Sequence, residues 1–302
     1  MTKRFSFRIP ASTSNLGSGF DALGLALNRY LSVSIVESAD FSIEARGVTA
    51  DLIPIDAQNL ILRVANSVAG QRAWKLPPFR MNIDNEIPLG CGLGSRAAAI
   101  IAGITCYELL TRDRLADQEI FRYAFEFESH PDNLAAALYG GLVSAATSAT
   151  GEVLVARLAV APGAGCVVII PEFELSTEKA RAVLPRNYDR ADVVFNIQRA
   201  ALTTAALTTG KWTLVREAMR DRIHQPHRTP MIPGLNEILD LKVPGLFGIA
   251  LSGAGPTVFA FTETGAEQSV GLAICKVFGE HGIRSAAHAL SVDTTGRTII
   301  EG

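Results

Sequence analysis

The 302-residue sequence has no surplus of either charge: 28 basic residues stand against 30 acidic ones, for a net charge of −2. A polyanionic partner such as nucleic acid, or an anionic membrane surface, finds no basic footprint here. Cysteine is sparse and scattered. Cys91, Cys106, Cys166 and Cys275 form no C-x-x-C pair, and no histidine stands at metal-ligand spacing, which argues against a zinc site or a disulfide framework. They read as small apolar residues of a reduced protein. Long hydrophobic runs are missing as well. The segment "AAAIIAGITCYELL" is too short to span a bilayer, and "MTKRFSFRIP" lacks the apolar core of a signal peptide, so the expected compartment is the cytoplasm. There is neither an internal repeat nor a low-complexity tract. What is present is a chain 48% apolar, long enough for two modest domains or one large one.

Alternating apolar residues predict half-buried strands in "FSFRI" and "YLSVSIV". Between them "PASTSNLGSGFDALGLAL" is rich in Ser, Thr, Asn and Gly and carries one acid, Asp21, the composition of a working loop. Helices are predicted from Ser95 to about Leu110, in "ADQEIFRYAFEFES", and in "PDNLAAALYGG", where Pro131 suits a first turn and Gly140 and Gly141 a stop. "GLVSAAT" and "VLVARLAV" read as strands. After "APGAG" the apolar "CVVIIP" starts a new unit, placing a domain boundary near residue 160 and dividing the chain into 1–160 and 161–302. Beyond it, "ADVVFNIQRAALTTAALTTG" and "KWTLVREAMRD" read as helices, "RIHQPHRTPMIPG" as a loop, and "LFGIALSGAGPTVFAFTE" as two strands about a glycine turn. A helix in "AEQSVGLAICKVFGEHG" and a last strand in "IRSAAHALSV" complete an α+β sandwich.

The stretch "PLGCGLGSRAAA" places glycines at 90, 92 and 94 directly before a helix. Backbone N–H groups there approach a ligand unobstructed, and the helix adds unpaired donors and a positive dipole end, so phosphate is the natural guest. The loop has no lysine for a Walker A pattern, and its spacing is not that of a dinucleotide fingerprint. A tight connection would use the same glycines, and the loop alone leaves both readings open.

Three more segments, "PASTSNLGSGFDALGLAL", "HPDNLAAALYGGL" and "GIALSGAGPTVFAF", stand in order around it. The set resembles the GHMP family of small-molecule kinases over nearly the whole chain, nearest to its homoserine kinase branch. The resemblance implies an α+β fold of two domains, an N-terminal ribosomal-protein-S5-like one and a C-terminal ferredoxin-like sandwich, with the active site between them. ATP and Mg2+ are the implied cofactors and L-homoserine the implied small-molecule substrate, with a homodimer left open. By resemblance the triphosphate lies on Gly90, Gly92, Gly94 and Ser95, with Pro88, Cys91, Leu93 and Arg96 in the same loop. Asn59 and Leu60 border adenine and ribose. Asp21 takes the substrate ammonium, Arg181 and Arg228 clamp its carboxylate, and Asn15 and Asn133 orient its hydroxyl. Ser252, Gly253 and Ala254 close over the substrate, and Thr177 faces it from a strand-end loop shared with Arg181. Glu128 is the implied metal ligand, with Glu126 its helical neighbour and competitor. Asp132 is expected to cap or buttress its helix, and His130 to organise the turn. Asn133 occupies a place where mevalonate-type relatives carry an aspartate as base; an amide takes no proton at neutral pH, so the hydroxyl is expected to lose its proton late.

Arg96 departs from the family pattern, which has a second serine there as metal or phosphate ligand. An arginine cannot ligate magnesium. Three readings stand: Arg96 binds β- or γ-phosphate oxygens, turns to solvent, or impairs the site. The alternatives to a homoserine kinase are a GHMP kinase for another alcohol and a non-catalytic binding protein.

Overall fold

The structure, a computed structural model, describes residues 4–301; the first three residues, part of the N-terminal segment read above, and Gly302 lie outside the described residues. In chain order the elements are β1 (Arg4–Ser14), β2 (Leu23–Glu37), β3 (Ser42–Gly47), α1 (Leu60–Gln71), β4 (Phe79–Asn85), α2 (Ser95–Thr111), α3 (Asp117–Ala124), α4 (Pro131–Tyr139), β5 (Leu142–Thr147) and β6 (Val153–Leu158). There follow β7 (Ala164–Pro171), α5 (Thr177–Ala182), α6 (Arg190–Thr209), α7 (Trp212–Ala218), α8 (Gln225–Arg228), α9 (Leu235–Asp240), β8 (Leu246–Leu251), β9 (Val258–Glu263), α10 (Glu267–Glu280), β10 (Ser285–Leu290) and β11 (Thr298–Glu301).

Two sheets organise them. The first runs β11-β1-β2-β4-β3, with β5 also on β2 and β6 on β5; the second runs β10-β7-β9-β8. Strand β2 is long enough to serve two partners, pairing Leu31–Glu37 with β4 and Leu23–Leu25 with β5. A register shift at Pro10/Ala11 in its pairing with β1 divides these two halves. Helices α2 and α4 lie on β1 and β2, and α10 lies on β7 and β10.

The predicted loop between the first strands is much shorter than its composition indicated. Ala11–Ser14 extend β1 and Leu23–Leu27 begin β2, leaving only residues 15–22 irregular. Ser12, Thr13 and Ser14 are buried, so polar strand residues here face the site and its neighbours. The second predicted helix also ends early, at Ala124, and the chain turns through 125–128 by short-range bonds such as Glu126 N–H to Tyr123 O. The predicted loop at 222–234 contains α8, and Thr177 and Arg181 stand on α5 where a loop was expected. Strand β7 opens the second sheet just past residue 160, yet β11 returns to pair with β1, so the C-terminal stretch rejoins the first sheet. Its anchor is Arg297, which donates to the buried Glu108 of α2.

Candidate active site

The glycine loop is held by its carbonyls. Leu93 O accepts from Ser12 N–H at 3.1 Å, Cys91 O from Thr257 N–H at 3.2 Å, and Gly92 O from the Ser252 hydroxyl at 2.6 Å. None of the amide N–H groups from Gly90 to Gly94 has a partner among the described residues. The loop thus turns its acceptors to the protein and leaves its donors open, directly before the N-terminus of α2. Positive φ at all three glycines makes this alternation. Space adds a second demand: a side chain on Gly94 would overlap Ser12 Oγ, and one on Gly92 would overlap Ser252 O.

Beside the loop two cavities meet. An apolar slot of about 210 Å³ is bounded by Leu31, Ile53, Pro54, Leu60 and Ile83. A polar cleft of about 280 Å³ lies between Gly90–Ala97, the 14–21 segment, the start of α4, and α5. Ser95 and Arg96 border both.

Most of the residues singled out from sequence meet in the cleft, including Asn15, Asp21, Glu128, Asn133, Thr177, Arg181, Arg228, Gly253 and Ala254. Several others do not reach it. Asn59 lines the apolar slot beside Leu60 instead, its amide capping α1 by accepting from Ile61 and Leu62 N–H and donating to Pro54 O. Pro88, Cys91 and Leu93 are buried, and the Cys91 thiol donates to Leu89 O. Ser252 is fully buried, its hydroxyl spent on Gly92 O and Thr13 Oγ1, which makes it a latch between the two glycine turns. Glu126 points away and bonds Ser67 and Gln71 of α1, leaving Glu128 as the acid on the cleft side.

At one end of the cleft Asp21 and Arg181 form a two-armed pair at 2.6 and 3.2 Å, and Arg181 Nε is buried with no partner among the described residues. Arg228 is 1% exposed. It donates to Ala180 O, Gly253 O and His224 Nδ1, and Phe20 lies against both arginines. Burial, and the neighbouring Arg181 charge, bring Arg228 down to about 10. His224 is a contributor that sequence reading missed. Its ring is fully buried, stacks on Phe20 at 4.9 Å, bonds Gly17 O through Nε2 at 2.8 Å and accepts from Arg228 through Nδ1 at 3.0 Å. Burial holds it below the ordinary histidine value, in keeping with a neutral ring that donates at one nitrogen and accepts at the other. The spacing H-x-x-x-R, one turn apart on a helix, was the available signal.

At the start of α4 the side chains of "HPDN" are held on several sides. The amide of Asn133 is held at both ends, accepting from Ser12 Oγ at 2.8 Å and donating to Ser14 Oγ at 2.9 Å. Asp132, expected to be a cap or buttress, lines the cleft as a buried carboxyl. Burial and the charge of Asp21 raise it to about 6, against hydrogen bonds from Asn133 N–H and Ser14. Asn15 is held in a left-handed conformation, φ 71°, by donating to Gly253 O and accepting from Asp21 N–H.

Glu128 sits between His130 and Arg96. Burial works against its ionisation, but a hydrogen bond from His130 at 2.9 Å, the charges of His130 and Arg96, and the Ser129 N–H hold it below the usual carboxylate value. Arg96 neither enters the cleft fully nor hangs free: Nε and Nη2 both donate to Phe127 O, at 3.0 and 2.7 Å. That carbonyl lies beyond the end of α3, and the guanidinium caps it in place of a further helical turn. No group of three or more acid, histidine or cysteine side chains that could hold a metal occurs among the described residues. A magnesium ion bound chiefly by phosphates and water needs only one or two carboxylates, and an ionised Glu128 beside the open amides fits that requirement. No helix among the described residues is long and apolar enough to cross a membrane.

Comparison with known proteins agrees with this geometry. The family model for the GHMP kinase N-terminal domain matches residues 59–141, and that for the GHMP kinase C-terminal domain matches 203–280. A homoserine kinase of Solibacter usitatus is 46% identical over 87% of this chain and 86% of its own. One from Deinococcus radiodurans is 40% identical over 98% and 97%. A crystal structure of homoserine kinase from Cytophaga hutchinsonii superposes with a TM-score of 0.85 at 28% identity, covering 99% of this chain and 98% of that one. With the two-domain architecture in place, the chain belongs to the GHMP kinase family and, within it, to the homoserine kinases.

Proposed function

We propose that the chain transfers the γ-phosphoryl group of ATP to the side-chain hydroxyl of L-homoserine, forming O-phospho-L-homoserine for threonine biosynthesis. One observation carries this reading: a single cleft has an array of unpartnered amides at one end and an Asp21–Arg181 pair with the buried Arg228 at the other. The first suits phosphate oxygens. The second suits an amino-acid zwitterion, with the carboxylate on the guanidinium groups and the ammonium on Asp21. The base lies in the apolar slot against Leu60, with its phosphates passing Ser95 to reach the loop.

Phosphoryl transfer asks the protein for alignment and charge neutralisation. Asn133, fixed by two serines, and Asn15, fixed by Gly253 and Asp21, position the hydroxyl. Asp132 accepts its hydrogen bond, and with a value near 6 is ionised at neutral pH and able to take the proton. Glu128 would hold magnesium, which when bound would supply positive charge beside the transferring group. The protein acts as a cytoplasmic enzyme. A coupled assay of ADP release with L-homoserine, with mevalonate and with no acceptor tests the reading. Turnover that requires homoserine is expected; acceptor-independent or absent turnover overturns it. Mevalonate lacks an ammonium for Asp21 and is expected to fail.

A further inference from the structure

Arg96 borders both the slot and the cleft, so a nucleotide that occupies the two passes over it. Its guanidinium is already fixed, one edge bonded twice to Phe127 O. The opposite nitrogen, Nη1, has no partner among the described residues, and the side chain remains 59% exposed. Its nearest acid, Glu128, stands 3.9 Å away, a long ion pair that leaves the guanidinium room for a second anion. A permanently charged, oriented fork with free N–H groups thus lies beside a row of open amides and a helix N-terminus, where anions collect.

We infer that Arg96 is a phosphate-contacting residue that supplies, from the protein itself, charge otherwise brought by a divalent metal, so that this chain binds the triphosphate of ATP without one. The inference rests on the kinase reading above and deepens it. Docking on Phe127 O fixes the guanidinium before nucleotide arrives, which reduces the side-chain ordering that binding requires. Arginine cannot ligate a metal, so its contribution is greatest when no metal is bound.

Calorimetric binding of ATP and of adenosine to the full chain, in excess EDTA and in excess magnesium, tests this with Arg96→Met and Arg96→Lys. In EDTA, Arg96→Met is expected to bind ATP about 10- to 100-fold more weakly than wild type, the loss typical of one charge-assisted contact. With magnesium the gap narrows to a few-fold. Arg96→Lys, which keeps the charge but loses the fork on Phe127, falls between. Adenosine, lacking phosphates, binds all three alike, which separates a lost phosphate contact from a damaged slot. Equal affinity of wild type and Arg96→Met for ATP in EDTA overturns the inference, as does an equal loss with adenosine. A wild type that phosphorylates homoserine yet shows either result sinks this inference alone. A wild type that binds ATP in neither condition sinks the kinase reading with it, whereas Arg96-dependent binding without homoserine turnover sinks only the choice of substrate.

Discussion

At the residue scale the informative group is Asp132, a buried acid raised to about 6 from an ordinary 3.8. Between those values the folded state holds the proton that the unfolded chain releases, so stability falls as pH rises through this window. Above about 6 the full cost persists, on the order of 3 kcal/mol. Asp132→Asn removes that cost and keeps an acceptor for Asn133 N–H. It is expected to melt later than wild type at neutral pH, by about 1–3 kcal/mol in urea titration, while kcat falls about 10²- to 10⁴-fold. In the wild type, kcat/KM for homoserine should decline below about pH 6 as the carboxylate protonates, and this limb should be absent from the residual activity of the variant. His224 makes a different prediction. His224→Ala frees both Arg228 and Gly17 O, so KM for homoserine rises about tenfold or more while KM for ATP stays near its wild-type value. His224→Gln, whose amide can donate to Gly17 O or accept from Arg228, recovers part of the loss. An equal rise in both KM values would indicate general damage.

Among the elements, the loop from Gly90 to Gly94 joins two requirements that separate experimentally. Gly90 has positive φ and room for a methyl group in ordinary contact with the Glu174 side chain, whereas Gly92 and Gly94 have positive φ and neighbours that a methyl group would overlap. Gly90→Ala is expected to cost about 1–2 kcal/mol from its backbone alone. Gly94→Ala should cost more and also displace Ser12, which positions Asn133, so it is expected to lose ATP binding and turnover together. Thermal melts and nucleotide titration of the two variants check this ordering. The early end of α3 is equally functional. Had the helix run on as its sequence pattern indicated, Glu128 would not have turned to the cleft; the chain bends there, with Phe127 O capped by Arg96.

Across the whole molecule the two sheets are joined at the site itself. Gly253 O, in the turn between β8 and β9, receives Asn15 and Arg228, and Ser252 ties the same turn to the glycine loop. The arginine end of the cleft and the glycine loop are therefore set by one shared network. The apolar core crosses the same junction, with Leu16, Met219 and Phe259 in one cluster, and one cooperative thermal transition is expected. The C-terminal stretch closes the structure through Arg297 and the buried Glu108. Arg297→Ala leaves that acid without its partner and is expected to destabilise by about 3–5 kcal/mol, measurable by denaturant titration, with little change in KM for either substrate.

Much of this was legible from local pattern. Glycines at alternate positions before a helix specify open amides, because φ sign and helix termini are local properties, and strand alternation at "FSFRI" and "YLSVSIV" located the first sheet. The sequence by itself thus determined the ordered motifs, the glycine loop and the family. Tertiary structure alone decided which polar groups stay free to act. Ser252 is consumed by bonds to Gly92 O and Thr13, Glu128 faces the cleft while Glu126 does not, and Asp132 is raised by burial beside Asp21. Those outcomes depend on desolvation and on partners 50 to 240 residues away in the chain, and neither quantity is encoded in the spacing of neighbours.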